Sequence, residues 1–247
     1  NIDDNYSLKK IVNLRTEKMR FNNFSGVISS VFVNSKELYL YYTADFKGEN
    51  LLIVDHVLIS GDSVSSRMPK VLTNEKFDDS DLGGAFVDLG DSLLLAVGKG
   101  THELVGETTV RLQQSNSVFG KTIVIPKINW ADENLKPYEK LIFSLRTSGH
   151  KNPQGSFIDK NNNIFMVEHG PNGGDEINII QDTGDYGYSK FSFGYDNVKN
   201  EYLNNYNPKY INPIWHYTPS PAISDIADCP FTEGGGRYLS WRVLISY

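Results

Sequence analysis

The residues best equipped for chemistry stand in one turn, Glu168-His169-Gly170-Pro171-Asn172-Gly173-Gly174-Asp175-Glu176. It gathers an imidazole, three carboxylates and the carbonyls of a Gly-Pro pair. Hard cations such as calcium take oxygen ligands, backbone carbonyls included, and a Gly-Pro turn can aim such carbonyls at one point. This turn is therefore the best cation candidate; the plain alternative is a tight loop whose Asp175 and Glu176 are solvated. Nearby, Asp159-Lys160-Asn161-Asn162-Asn163 opens like an EF-hand loop. However, Ile164 stands where that loop needs Gly and Gly170 where it needs Glu, so a β-turn is expected instead. His56, His102 and His216 lack zinc-ligand spacing, and neither a G-x-S-x-G elbow nor a P-loop is present.

The elements that must position these groups read as strands. Apolar runs at 163–167 and 177–180 flank the turn, which places its polar groups on a loop at one sheet edge. Further strands are expected at 11–14, 25–33, 38–43, 51–60, 93–97, 119–125 and 141–145. Residues 69–74 lead into the polar run Asp78-Asp79-Ser80-Asp81, in which Asp78 and Asp79 are most simply solvated. Residues 129–140 read as a loop with a short helical option, and 189–213 as a long surface loop. No long amphipathic helix is visible, so the class is all-β.

An internal repeat supports that class. Gly83-Gly84-Ala85-Phe86-Val87-Asp88, a polar turn and Leu93 to Val97 match Gln154-Gly155-Ser156-Phe157-Ile158-Asp159, a polar turn and Ile164 to Val167. Ser25-Gly26 opens a looser third copy, and the glycines at 26, 84 and 155 lie 58 and 71 residues apart. That exceeds the roughly 40–50 residues of common propeller repeats, but a four-stranded sheet with long loops accommodates it. The competing reading is that two hairpins resemble each other by chance.

At 247 residues the chain can form one substantial β domain. Its formal charge of −6, with both signs interspersed, leaves no basic face for nucleic acid. No apolar run reaches the ~18 residues of a membrane helix. The single cysteine, Cys229, has no intramolecular partner and is expected to be a buried thiol. Asn5 and Asn23 open short glycosylation-type triplets, a pattern with many chance matches. The first residues lack the charge and apolar run of a signal peptide, and there is no initiator Met. The last five residues read as mid-strand, so both ends are expected to be cut and residues 1–247 to form a single partial domain.

Three strings, GHKNPQG, EHGPNGGDEIN and DYGY, resemble the central signature of the soluble quinoprotein glucose/sorbosone dehydrogenases. Those are six-bladed β-propellers that oxidise aldose sugars with pyrroloquinoline quinone (PQQ) and calcium. The resemblance implies a propeller of which about four blades are present, an open arc with exposed edges, in a periplasmic or secreted protein. It implies that the carbonyls of Gly170 and Pro171 hold the calcium that grips PQQ. Glu176 and the carbonyl of Tyr186 would help hold a second, structural calcium. Lys151 and Asn152 stand where the family has Arg-Asn contacting the quinone oxygens; lysine keeps the charge but loses the planar fork. His150 belongs to the same motif as a structural turn histidine.

Asp81, in Ser80-Asp81-Leu82-Gly83-Gly84, takes the place of the family's catalytic histidine. An aspartate can act as general base if burial raises its pKa toward the working pH; beside a bound calcium it would stay low and weak. Ala85 replaces an arginine, Phe24 a quinone-contacting glutamine, and Tyr217 a tryptophan platform, although tyrosine can still stack. The family's basic clamps for the quinone carboxylates fall beyond Tyr247. Two functions follow. One is PQQ-dependent oxidation of an aldose, with calcium as Lewis acid, Asp81 as base, and Lys151 and Asn152 polarising the quinone. The other is a catalytically degenerate propeller that keeps the fold and binds a sugar, glycan or protein partner without redox chemistry.

Overall fold

The structure is a computed structural model and describes residues 24–46, 48–60, 63–73, 75–77, 81–100, 112, 114–131, 136–196, 200–202 and 207–227. Two compact units divide the chain: Asn1–Asn74 with Trp130–Leu141, and Glu75–Asn129 with Ile142–Tyr247.

The first unit is an antiparallel meander of β1 (Phe24–Asn34), β2 (Glu37–Phe46), β3 (Glu49–Ser60) and β4 (Ser63–Thr73), paired in chain order. Period-2 alternation puts Leu38, Leu40, Tyr42 and Ala44 on one face. These pack with Leu51, Ile53 and Val57 of the next strand. The opposite face is also covered: Tyr39 and Tyr41 are buried, and Tyr39 meets Trp130 edge-on at 5.0 Å. The Trp130 indole N–H donates to the Met68 carbonyl (2.8 Å), fastening the 130–141 segment to β4.

The second unit contains two such sheets. One runs β5 (Gly84–Asp88), β6 (Ser92–Val97), β7 (Lys121–Pro126), β8 (Ser144–Ser148). The other starts with β9 (Pro153–Ile158), β10 (Ile164–Glu168) and β11 (Asp175–Ile179). A small hairpin, β12 (Tyr195–Asp196) with β13 (Glu201–Tyr202), precedes β14 (Trp215–Tyr217), which pairs beside β11 to complete four strands. Ala85, Val87, Leu94 and Ala96 of one sheet pack in a single cluster with Ile164, Met166, Ile180 and Tyr186 of the other. Three four-stranded antiparallel sheets thus stand among the described residues, an all-β architecture of the propeller-blade kind.

The internal repeat has a structural counterpart. Gly84 pairs with Val97 and Gly155 with Val167, each at the opening of its sheet. At the far end of each hairpin the matching aspartate folds the same turn. Asp88 Oδ1 accepts the Gly90 amide (2.9 Å), and Asp159 Oδ1 accepts the Asn161 amide (2.8 Å).

Boundaries moved where tertiary contacts intervene. The strand expected at 119–125 begins at Lys121 because Gly120, at φ +66°, bends the chain against Leu112 and the His150 carbonyl. The strand expected at 141–145 lies at Ser144–Ser148, since the Asn129 side chain holds both the N–H and the carbonyl of Ile142. The helical option in 129–140 is realised slightly earlier, as a 3-10 turn over Lys127–Trp130. The 189–213 segment is not all surface: Phe191, Ser192 and Tyr210 are buried. Residues 11–14, Asn5, Asn23, Asp78, Asp79, His102, Cys229 and Tyr247 lie outside the described residues. Among those described, no helix is long and apolar enough to cross a membrane.

Candidate functional site

The site is assembled from the β8–β9 connection, the β10–β11 turn and the segment after β11. Its rear is a buried polar network. His150, fully buried, places Nε2 2.8 Å from the Thr147 hydroxyl, and Nδ1 2.9 Å from Glu168 Oε1. Glu168 Oε1 also accepts the Asn178 amide (2.9 Å), and its Oε2 accepts the Lys151 backbone N–H (2.7 Å). Buried polar groups are tolerated only when partnered, and here the partners come from three strands and a loop. His150 is thus the structural turn histidine expected of it. Gly149 permits the turn at φ +80°, with Asp185 Oδ1 and the Gly187 amide too close for any side chain.

The Gly-Pro turn is anchored by Asp175, which is fully buried. Its Oδ1 accepts the Gly170 amide (3.1 Å), while its Oδ2 accepts the Ser220 hydroxyl (2.6 Å) and the Ile223 amide (3.2 Å). The Pro171 carbonyl accepts the Tyr195 amide (3.1 Å) and lies too near Gly194 for any side chain there. Glu176 is buried as well, so the solvated-loop alternative does not hold for either carboxylate. Burial, then the neighbouring Glu168 carboxylate, push Glu176 well above the usual carboxylate range; Asp175 adds to this and the Asn178 amide opposes it.

Lys151, Gly170, Pro171, Glu176 and Tyr186 all line one cavity of about 10 Å³, together with Glu168 and Tyr188 among others. That is room for about one water molecule or a monatomic ion. A buried carboxylate held back from ionising by like charges suits a divalent cation, and the carbonyls beside it are hard donors. The residues present therefore fit calcium. Among the described residues, no three His, Cys, Asp or Glu side chains cluster to hold a metal, so backbone carbonyls would have to complete the shell. That volume does not admit a three-ring quinone, which would meet this cavity at its rim.

The front of the site is an ion cluster. Asp81, at φ +49°, places Oδ2 3.1 Å from Lys99 Nζ, and Oδ1 3.2 Å from both Lys151 Nζ and the Asn152 amide nitrogen. Asn152 Oδ1 in turn accepts the Gly83 amide (2.8 Å). Burial pulls Asp81 upward, but the Lys151 and Lys99 ammoniums outweigh it and hold the carboxyl below its ordinary value. Burial lowers Lys151, and Asp81 offsets part of that shift. Backbone bonds lace the cluster together: the Lys99 amide donates to the Lys151 carbonyl (2.8 Å), and Gly100 to that of Asp81 (3.2 Å).

The structure thus brings Lys151 together with Asp81 and Asn152 on one side and with the Gly170–Glu176 turn on the other. Tyr217 sits half-buried on β14, its carbonyl accepting the Gly174 amide (2.7 Å). Ala85 is buried in the inter-sheet core and offers nothing to a ligand. Phe24 opens β1 in the other unit. Sequence reading missed Lys99, the organising role of Glu168 and Asn178, and Tyr188. Glu168, Asn178 and Tyr188 stand inside the quoted strings without a role read for them, and Lys99 follows the apolar strand Leu93 to Val97 as a lone charge.

A four-stranded-sheet protein with a cation-sized cavity beside a Gly-Pro turn is the class that fold and site define. The Glucose / Sorbosone dehydrogenase family model matches residues 25–241, and the chain belongs to that family. It is 27% identical over 222 residues to aldose sugar dehydrogenase YliI of Escherichia coli K12, covering 81% of this chain and 56% of that protein. Over 91 residues, 37% of this chain and 16% of the relative, it is 34% identical to quinoprotein glucose dehydrogenase B of Acinetobacter calcoaceticus. The apo soluble aldose sugar dehydrogenase of E. coli superposes with a TM-score of 0.62 at 20% identity, covering 83% of this chain and 62% of that one. The PQQ-bound aldose sugar dehydrogenase of Streptomyces coelicolor gives 0.57 at 18%, covering 83% and 57%. These two show a shared fold. The match spans about half the length of YliI and less of the other curated relatives.

Proposed function

We propose that this chain carries the cation-binding and part of the quinone-facing portion of a PQQ-dependent aldose sugar dehydrogenase. The observation that carries this reading is the convergence of Lys151, Gly170, Pro171, Glu176 and Tyr186 on one ion-sized cavity. One calcium ion would sit there, among the Gly170, Pro171 and Tyr186 carbonyls beside Glu176; the second ion that the resemblance implies would have no room in the same cavity. PQQ, when bound, would supply the hydride acceptor. Lys151 would donate to it with its ammonium, Asn152 would steady Lys151 and Asp81 from one side, and Tyr217 would offer a ring face. Asp81 would take the sugar hydroxyl proton.

One observation favours a second reading, a propeller that binds without oxidising. Asp81 is clasped by two ammoniums that lower its pKa, whereas a general base works best near the ambient pH. The same clasp engages the Lys151 ammonium and the Asn152 amide that the quinone would need.

The experiment is reconstitution with PQQ and calcium, followed by an aldose and a dye acceptor. Dye reduction supports the first reading, and Asp81→His with Lys151→Arg is expected to increase it at least tenfold. Quinone binding without turnover in either protein supports the second reading. Failure of the protein to take up calcium or PQQ at all would sink the first.

A further inference from the structure

Beside the candidate site lies a second cavity, of about 250 Å³. Its volume approaches the lower end of the roughly 300–1,000 Å³ of small-molecule sites. Ser148, Asp185, Tyr188, Lys190, Lys209 and Tyr210 are among the residues that line it. They converge because the chain after β11 runs back beside β8. The Thr183 amide donates to the Arg146 carbonyl (2.8 Å), Tyr186 to Ser148 (2.9 Å) and Tyr188 to Gly149 (3.0 Å). The Tyr210 ring stacks on Phe191 at 5.8 Å and carries the Lys209 ammonium 5.5 Å from its centroid, so that cation has a defined seat.

Among the described residues, two cations of this cavity are without a counter-ion, and one buried hydroxyl stands in the wall behind it. The Tyr188 hydroxyl is buried with no hydrogen-bond partner, although the residue is only 8% exposed. Native structures rarely leave such a group unsatisfied. Neither the Lys190 nor the Lys209 ammonium joins an ion pair among the described residues. Asp185 is fixed in place by accepting the Gly187 amide (2.9 Å). Tyr188 also lines the smaller cavity, so its ring is a wall common to both. Burial, then the Asp81 and Glu168 carboxylates, push its phenol upward, so its hydroxyl belongs with the candidate site while its ring walls the larger cavity.

We propose that this larger cavity is a second ligand site, for a small polyhydroxylated anion of the sugar-acid or sugar-phosphate kind. The Lys190 and Lys209 ammoniums take the anionic group, Asp185 and Ser148 take hydroxyls, and the Tyr188 ring closes the inner wall. A neutral sugar gives the two cations nothing to neutralise, and a bare anion leaves Asp185 facing like charge.

The test is calorimetric titration of the full 247-residue chain with gluconate, glucose 6-phosphate, glucose and inorganic phosphate, with neither PQQ nor calcium present. Saturable binding of gluconate, glucose 6-phosphate or both is expected, and which of them binds assigns the anionic group. Glucose is expected to bind at least tenfold more weakly. The double change Lys190→Ala with Lys209→Ala should weaken binding at least tenfold without moving the melting temperature, because both side chains are exposed. Lys209→Gln alone should give a milder loss. No binding by either sugar anion, inorganic phosphate binding as tightly as glucose 6-phosphate, or an unaffected double variant would each overturn the proposal. Failure here leaves the sugar-oxidation reading untouched, since no step of that reaction is sampled.

Discussion

The rear and the front of the candidate site use the same residue types in opposite ways. Behind the Gly-Pro turn, Glu168 and Asp175 are buried, and each accepts three hydrogen bonds from neutral donors or a histidine. In front, Asp81 is more than a quarter exposed and held by two ammoniums and one amide. The rear fixes geometry, because removing any carboxylate there strands buried donors. The front balances charge: Asp81 alone reaches water there, where its interactions are partly screened, while Lys99, Lys151 and Asn152 are buried. A family scaffold can therefore persist while the chemistry at its mouth changes.

The largest expected effect breaks the rear. Glu168→Ala orphans the His150 Nδ1, the Asn178 amide and the Lys151 N–H, and should cost about 3–5 kcal/mol. For a chain of this size that lowers the melting temperature by roughly 6–20 °C, readable by circular dichroism. Asp175→Ala should behave alike, whereas Asp81→Ala should cost clearly less. Equal losses at Glu168 and Asp81 would erase the contrast.

Calcium sharpens the same comparison. At about a hundredfold excess over its dissociation constant, a ligand specific to the folded state adds about 2.7 kcal/mol. The expected rise in melting temperature is roughly 5–10 °C. Glu176→Gln should remove most of that rise, and Asp81→Asn should leave it intact. A rise that survives Glu176→Gln would place the ion elsewhere.

Acid titration addresses the front. Because the folded-state pKa of Asp81 is depressed, its ion pairs contribute fully above the unfolded value of 3.8. Their contribution fades as pH falls through the lower folded-state value. Urea unfolding of wild type and Asp81→Asn should therefore differ at pH 6 and converge toward pH 2. A gap that stays constant across that range would show that the ammoniums do not set the stability of this cluster.

The smallest effect concerns Arg146, whose Nε lies 2.6 Å from Asp182 Oδ1 at the surface. Arg146→Met should change stability by about 0–1 kcal/mol, as exposed pairs do. A loss approaching that of Glu168→Ala in the same melt would blur the line between rear and surface.

Much of the fold was legible because strand periodicity and turn chemistry are local. The Gly84 and Gly155 hairpins, the Asx turns at Asp88 and Asp159, and the strand pair either side of 34–37 all follow from short-range pattern. Boundaries failed where a distant group intruded, as the Asn129 side chain does at Ile142. In the site, the Gly-Pro turn and Lys151 were readable from motif, because the spacing of a loop's groups is set by the chain itself. Lys99 was not, since its meeting with Asp81 depends on a Gly98–Gly83 backbone bond between separate segments.

The sequence by itself determined the class, the repeat and the loop able to offer oxygen ligands, because each rests on neighbours along the chain. Only the tertiary structure decided that Glu168 and Asp175 are internal struts, that Asp81 is neutralised by Lys99 and Lys151, and that Tyr188 divides two cavities. Burial and long-range electrostatics set those roles, and both are properties of the packed arrangement that no residue carries alone.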